Sequence, residues 1–301
     1  MLVPSPTQAV GLNVSATSPC GSGARAPATY KHVIVFFMQD KIASEVYGSP
    51  KAPYLNTLGA ACGIATNYHW VWHPSFLPII SGAYNDPLPR GCTLAECLYP
   101  GQSIFSQLKD AGKTWRNYAE EMPSNCARSS KGGYTPTHNP PVYYRNLMAD
   151  CAAWDVPMGT VSAGAFVDDL NNDRLPSYSF MSPTLCHDTH DCDLAEGDKW
   201  LQGWMTKILN SAVYRAGGTA VFIVWDDGTT DAPGVTDCTT SSHPYCLVSL
   251  FVISPYTPGG TRSGVPFSHY SLLRTTEEML GITSFLGGAA RATSLRAGFG
   301  L

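Results

Sequence analysis

The chain is poor in charge. Only 14% of its 301 residues are Asp, Glu, Lys or Arg, and the net charge is −4. It has no basic stripe and no block of like charges, which argues against nucleic acid as a partner. No segment approaches the ~18 consecutive apolar residues of a membrane span, so no transmembrane segment is expected. No CxxC spacing occurs among the ten cysteines, which argues against a thiolate zinc site. Internal repeats are absent. The first 30 residues hold neither a charged n-region nor an apolar h-region, so they do not read as a signal peptide.

The cysteines are present in an even number and fall close together in sequence. Cys92 with Cys97, Cys126 with Cys151, Cys186 with Cys192, and Cys238 with Cys246 are near neighbours, which leaves Cys20 and Cys62 as a fifth pair. Short-spaced pairs in loop-like sequence read as disulfides made in an oxidising compartment. A secreted or periplasmic protein is therefore expected, with an export signal already removed and Met1 as an added start. Asn13-Val14-Ser15 is a glycosylation sequon, meaningful only in a eukaryotic secretory host.

Residues 1–29 are small, polar and proline-rich, and are expected as a flexible lead-in to one domain over 30–301. Two continuous apolar runs stand out, HVIVFFM at 32–38 and AVFIVW at 220–225. Such short, β-rich runs fit strands covered on both faces, as in a parallel sheet. Each ends in polar residues, Gln39-Asp40 in the first case and Asp226-Asp227 in the second. Ligands in open α/β sheets collect at the carboxyl ends of strands. If the two strands are neighbours, Gln39, Asp40, Asp226 and Asp227 converge on one edge, and adjacent carboxylates held ionised call for a cation. Helices are expected over 52–62, 103–112, 141–151, 162–170, 194–213 and 267–280, and strands over 114–118, 177–182 and 247–253. The alternation predicts an α/β fold, a doubly wound, mostly parallel sheet with helices on both faces.

Residues able to carry chemistry are Gln39, Asp40, His69, His73, Ser75, Asp188, His190, Asp226, Asp227 and His269. Each has a structural alternative. A Ser after Pro is commonly a turn or cap residue, histidines near aromatics are commonly packed and satisfied, and Asp188 suits the cap of a turn inside a disulfide loop.

As a set, however, they resemble a family. HVIVFFMQDK (32–41), APYLNTL (52–58), NYHWVWHPS (67–75), MPSNCAR (122–128), CHDTHDC (186–192), VFIVWDDG (221–228) and FSHYSLLRTTEEMLGI (267–282) are similar, in order, to the phosphoesterase family of bacterial acid phosphatases and phospholipase-C-like enzymes. That resemblance implies an alkaline-phosphatase-like sheet. It places Gln39, Asp40, Asp226 and Asp227 around one divalent metal ion, for which hard oxygen donors favour Ca²⁺, Mg²⁺ or Mn²⁺. It makes Ser75 the nucleophile, with His190, His269 and Asp188 in catalytic positions around the substrate.

The motifs also depart from the family pattern. A usual Glu-Asn is Gln39-Asp40, a late Glu is shortened to Asp227, and Ile42-Ala43 replace a Ser-Tyr. The segment after Ser75, FLPIISG, is about three residues short of the usual one and lacks its Asn-Tyr. Three readings stand at this point. The first is a metal-dependent phosphoesterase acting on a small phosphate ester. The second is a diverged member whose apolar Ile42, Phe76, Ile79 and Ile80 accept an apolar organic molecule for non-hydrolytic acid/base chemistry such as cyclisation, elimination or isomerisation. The third is a non-catalytic binding protein.

Overall fold

The computed structural model describes residues 15, 18–71, 76–83, 98–228, 235 and 237–301. Ser75, His73, the Cys92–Cys97 pair and most of the Asn13 sequon lie outside them.

Ten strands are described. They are β1 (His32–Met38), β2 (Gly63–Ala65), β3 (Tyr68–His69), β4 (Trp115–Ala119), β5 (Asp155–Pro157), β6 (Tyr178–Ser182), β7 (Thr219–Trp225), β8 (Leu250–Ile253), β9 (Thr261–Ser263) and β10 (Phe267–Ser268). Eight form one sheet in the order β5-β4-β6-β1-β7-β8-β2-β9, and β10 pairs with β3 in a small second sheet. In the large sheet β8 alone runs against its neighbours. The sheet is thus mostly parallel, as its all-apolar strands require. Every residue of β7 is buried, and so is β1 from Val33 onward. Side chains alternate between the two faces of a strand, so burial of both sets means that both faces are covered.

The expected helix over 52–62 is Pro53–Ala61, with Pro at its first position. Its N-cap, Ala52, has no side-chain acceptor, and the cap comes from another helix. The buried Asp198 of helix Leu194–Leu209 accepts from the Tyr54 and Leu55 amides at 3.0 and 2.8 Å. The long helix expected over 194–213 ends at Leu209, and a separate turn, Ala212–Arg215, begins after Ser211, whose side chain caps it. Residues 141–151, expected as a helix, hold the 3₁₀ turns Pro140–Tyr143 and Arg145–Leu147, ahead of helix Cys151–Trp154. Prolines 140 and 141 remove the amides that a longer α-helix would need.

Four of the expected disulfides are present: Cys20–Cys62, Cys126–Cys151, Cys186–Cys192 and Cys238–Cys246. Cys20–Cys62 anchors the end of the lead-in, where Gly21 and Ser22 also donate backbone hydrogen bonds to Thr257 and Pro255. Among the described residues no helix is long and apolar enough to cross a membrane.

Candidate active site

β1 and β7 pair in parallel over seven residues, with Met38 opposite Trp225. They therefore end at the same level, and the residues just past each strand land side by side. The Asp226 amide donates to the Met38 carbonyl at 3.0 Å, the last rung of the ladder. Asp226 then turns its carboxylate back across the strand ends. Its Oδ1 accepts from the Asp40 amide at 3.0 Å and from the Asp227 amide at 2.7 Å. Asp40 reaches this position with φ at 57°, a left-handed conformation that Asp adopts more readily than most residues.

The result is a cluster in which carboxylate oxygens of Asp40, Asp226 and Asp227 all lie within 4.8 Å of one another. Asp226 and Asp227 are buried and Asp40 is half-buried. Burial first, then the neighbouring carboxylates, pushes Asp226 well above the usual carboxyl range. The same causes, with Asp227 as the main neighbour, raise Asp40 to about 6. A divalent cation would offset both shifts by favouring the ionised carboxylates, and three hard oxygen donors are the set that Ca²⁺, Mg²⁺ or Mn²⁺ prefers, so the residues present fit such an ion. Gln39, the fourth expected ligand, is buried beside them. Its backbone is tied on both sides, its amide to the Asp188 carbonyl (2.8 Å) and its carbonyl to the Thr189 hydroxyl (2.8 Å).

The loop 186–192 folds over these strand ends. A disulfide joins its two ends, and Thr189 pins its crest by accepting from Trp225 Nε1 at 3.1 Å. Asp188 is fully buried within it. Its Oδ1 accepts from the His190 amide and its Oδ2 from His138 Nδ1, both at 2.8 Å. His190 is more exposed. Its Nδ1 donates to Asp191 at 2.6 Å and its Nε2 lies 3.5 Å from Asp40 Oδ2. Desolvation works against the imidazolium, but the hydrogen bond to Asp191 and the charges of Asp40, Asp191 and Asp188 outweigh it and raise the His190 pKa above 6.5.

His138 is the functional candidate that sequence reasoning missed. It ends a 3₁₀ turn, Pro136–His138, in a long loop with no periodicity to mark it. What fixes it is its neighbour. Asn139 is buried and donates to Asp155 (2.9 Å) and Tyr134 (2.8 Å), and it accepts from Asn117 (3.1 Å). The imidazole rings of His138 and His190 are 6.1 Å apart.

Two other expected histidines, His269 and His69, are hydrogen-bonded within the frame. His269 begins helix His269–Met279 and is fully buried. Its Nε2 donates to the Asp226 carbonyl at 2.6 Å, which leaves Nδ1 to accept from the Tyr68 hydroxyl at 3.1 Å. Burial lowers its pKa to about 4, in keeping with a neutral ring that uses both nitrogens internally. His69 lies between the Cys238 carbonyl and the Asn67 side-chain oxygen, away from the carboxylates' hydrogen bonds. Ser75 immediately precedes helix Phe76–Ser81, whose residues are all buried. Phe76, Ile79 and Ile80 belong to the hydrophobic core, and Phe76 packs on Tyr143 with ring centroids 5.3 Å apart.

Among solved structures, the fold is similar to a protein of the alkaline phosphatase superfamily from Vibrio parahaemolyticus. The TM-score is 0.58 at 10% identity, over 97% of this chain and 76% of that one. The lipoteichoic acid synthase LtaP from Listeria monocytogenes gives the same score and identity over 89% and 77%. In sequence, the chain is 25% identical to a phosphatidylinositol-3-phosphatase of Mycobacterium tuberculosis, over 89% of this chain and 83% of that protein. It is also 25% identical to an acid phosphatase of Aspergillus fumigatus, over 73% of this chain, but it spans only about half (49%) of that protein's length. The family model described as Phosphoesterase family matches residues 26–283, and with that match the chain belongs to the Phosphoesterase family.

Proposed function

We propose that this protein is a metal-dependent phosphoric ester hydrolase of the acid phosphatase type, using Ser75 as its nucleophile. The observation that carries this reading is the convergence of Asp40, Asp226 and Asp227 at the paired ends of β1 and β7. These three, with Gln39 beside them, would hold one divalent ion. When bound, that ion would neutralise phosphoryl charge and favour ionisation of a serine hydroxyl. Ser75 attacks phosphorus in line, forming a Ser–O–P bond as the ester P–O bond breaks. His190, protonated up to a higher pH than a free histidine, gives its Nε2 proton to the leaving oxygen. The now neutral imidazole then takes a proton from the water that breaks the Ser–O–P bond and returns phosphate. Asp188 acts through His190, whose amide it holds, and His138 through Asp188. His269 fits a supporting part, keeping the Asp226 carbonyl in place from behind.

The substrate is proposed to be a small phosphate ester. The names of the relatives support this class, and the four disulfides support work in a secreted or periplasmic setting. The alternative of an apolar organic substrate needs Ile42, Phe76, Ile79 and Ile80 to line a pocket; the last three are spent in the core, which leaves the half-buried Ile42 alone. The test is release of p-nitrophenol from its phosphate with added Mg²⁺, Mn²⁺ or Ca²⁺, comparing wild type with Ser75→Ala. Turnover that needs metal and disappears in the variant is expected. Failure of wild type to turn over with any of the three ions would overturn the proposal.

A further inference from the structure

Two non-glycine residues of the site loops adopt left-handed backbone, Asp40 at φ 57° and Thr189 at φ 80°. For Asp the cost is small, but Thr is β-branched and rarely found there, so its surroundings must hold it. The two residues matter because of what they carry. Asp40 brings a carboxylate to the acidic cluster, and Thr189 immediately precedes His190. The 3.5 Å gap between His190 Nε2 and Asp40 Oδ2 depends on how residue 40 is fastened to residue 189.

Gln39 already joins the two segments through the Asp188 carbonyl and the Thr189 hydroxyl, and an ammonium group adds the tie at residue 40 itself. Lys41 Nζ donates to the Asp40 carbonyl at 3.0 Å and to the Thr189 carbonyl at 2.9 Å. Both left-handed residues therefore aim their carbonyls at one cation. The Cys186–Cys192 disulfide closes the loop at its base and leaves its crest to be tied by Thr189 and Lys41. A compact ammonium with three donors suits two convergent carbonyls, whereas the planar fork of Arg does not. We infer that Lys41 is a positioning residue, an ammonium staple that sets the spacing of Asp40 and His190 by holding the carbonyls of residues 40 and 189 together. The inference rests on the proposed function, in which both side chains belong to the reaction centre.

The experiment compares Lys41→Met, Lys41→Arg and a control, Lys51→Met, whose ion pair with Asp193 lies on the exposed surface. The first readout needs no turnover. Amide hydrogen exchange is followed at Asp40, whose amide is bound to Asp226, and at His190, whose amide is bound to Asp188. The second is kcat and KM for p-nitrophenyl phosphate with Mn²⁺. In Lys41→Met both amides should exchange faster, while kcat falls about 10- to 100-fold and KM hardly moves, the signature of misplacement rather than lost binding. Lys41→Arg should lie between that variant and wild type, and Lys51→Met should match wild type. Wild-type exchange in Lys41→Met would overturn the staple. So would full recovery of kcat in Lys41→Arg, because charge without geometry would then suffice. If Lys41→Met does not fold, Lys41→Arg carries the same two readouts, and wild-type values in both refute the inference. Should wild type hydrolyse nothing, the proposed function falls while the exchange measurement still decides the staple.

Discussion

Asp226→Asn should make the metal-free protein more stable, although it removes a group central to the site. The Asn side chain keeps an oxygen where Oδ1 stands, able to accept from the Asp40 and Asp227 amides as before. What it removes is the cost of burying a carboxylate between two others. The folded-state pKa of Asp226 lies well above the ordinary 3.8, so without a cation the folded protein must bind a proton that the unfolded chain has already released. The sign is direct. Below 3.8 both states are protonated and the group costs nothing. As pH rises, the cost grows until it passes the folded-state value. At about 1.4 kcal/mol per pH unit, proton uptake carried through to pH 7 sets a ceiling of about 4 kcal/mol on the gain from Asn. Denaturant unfolding in EDTA at pH 5, 6 and 7 should show Asp226→Asn more stable than wild type, by a margin that widens with pH. Added Mn²⁺ should then narrow or invert the difference, since a ligand at a hundred times its Kd stabilises wild type by about 2.7 kcal/mol. A variant no more stable than wild type at pH 7, or a margin flat with pH, would refute the account of the cluster as an uncompensated cation site.

Other perturbations obey the same logic. Asp188→Asn keeps one acceptor but presents an NH₂ group where a carboxylate oxygen faces either His190 or His138. Melting should report a loss of about 1.5–3 kcal/mol, and p-nitrophenyl phosphate turnover a drop of about 100-fold. Unchanged values in both would remove Asp188 from the mechanism. Glu120, just after β4, accepts from Thr184 (3.0 Å), His187 (2.8 Å) and Trp200 (2.8 Å). Burial alone would raise its pKa, but these partners outweigh it and lower the value, while the bond to Glu120 raises that of His187. The stability they add is lost as pH falls below the usual carboxyl range and as it rises through the His187 value above 6.5. Glu120→Gln should therefore cost about 1–2 kcal/mol near pH 5.5 and progressively less at alkaline pH, and a constant deficit in a pH series of unfolding curves would count against the pair. Asp198→Ala strips the Tyr54 and Leu55 amides of their acceptor and should lower stability by about 1–2 kcal/mol, with Asp198→Asn intermediate, as read from urea midpoints.

The central strands were legible because HVIVFFM and AVFIVW have no polar face to turn to water, and because acids stand where each run stops. Their pairing brought Gln39, Asp40, Asp226 and Asp227 to one edge as expected. The direction of β8 was not legible, since a buried strand carries the same apolar run whichever way it points. His138 escaped notice for a related reason. Its place is set by Asn139 and a buried network drawn from three separate segments, and no local spacing encodes that. His269 looked like a site residue because it begins a helix beside matching motifs, yet its two nitrogens are taken by the Asp226 carbonyl and the Tyr68 hydroxyl within the frame. The turns around Pro140 show the opposite error, in which a short helix is expected where the prolines remove the amides it would need.

The order of strands in the sheet has a consequence for synthesis. Among the described strands β1 comes first in the chain, and its partners are β6 and β7, so HVIVFFM leaves the ribosome well over a hundred residues before either neighbour exists. During that interval a run of seven residues, low in charge and rich in β-formers, has no sheet to enter and is an aggregation hazard in the nascent chain. The site inherits the delay. Asp40 and Asp226 stand 186 residues apart in sequence, so no fragment lacking either half can assemble the carboxylate cluster. Cation binding at these strand ends would consequently report the joining of β1 to β7, a long-range pairing that binding follows rather than nucleates.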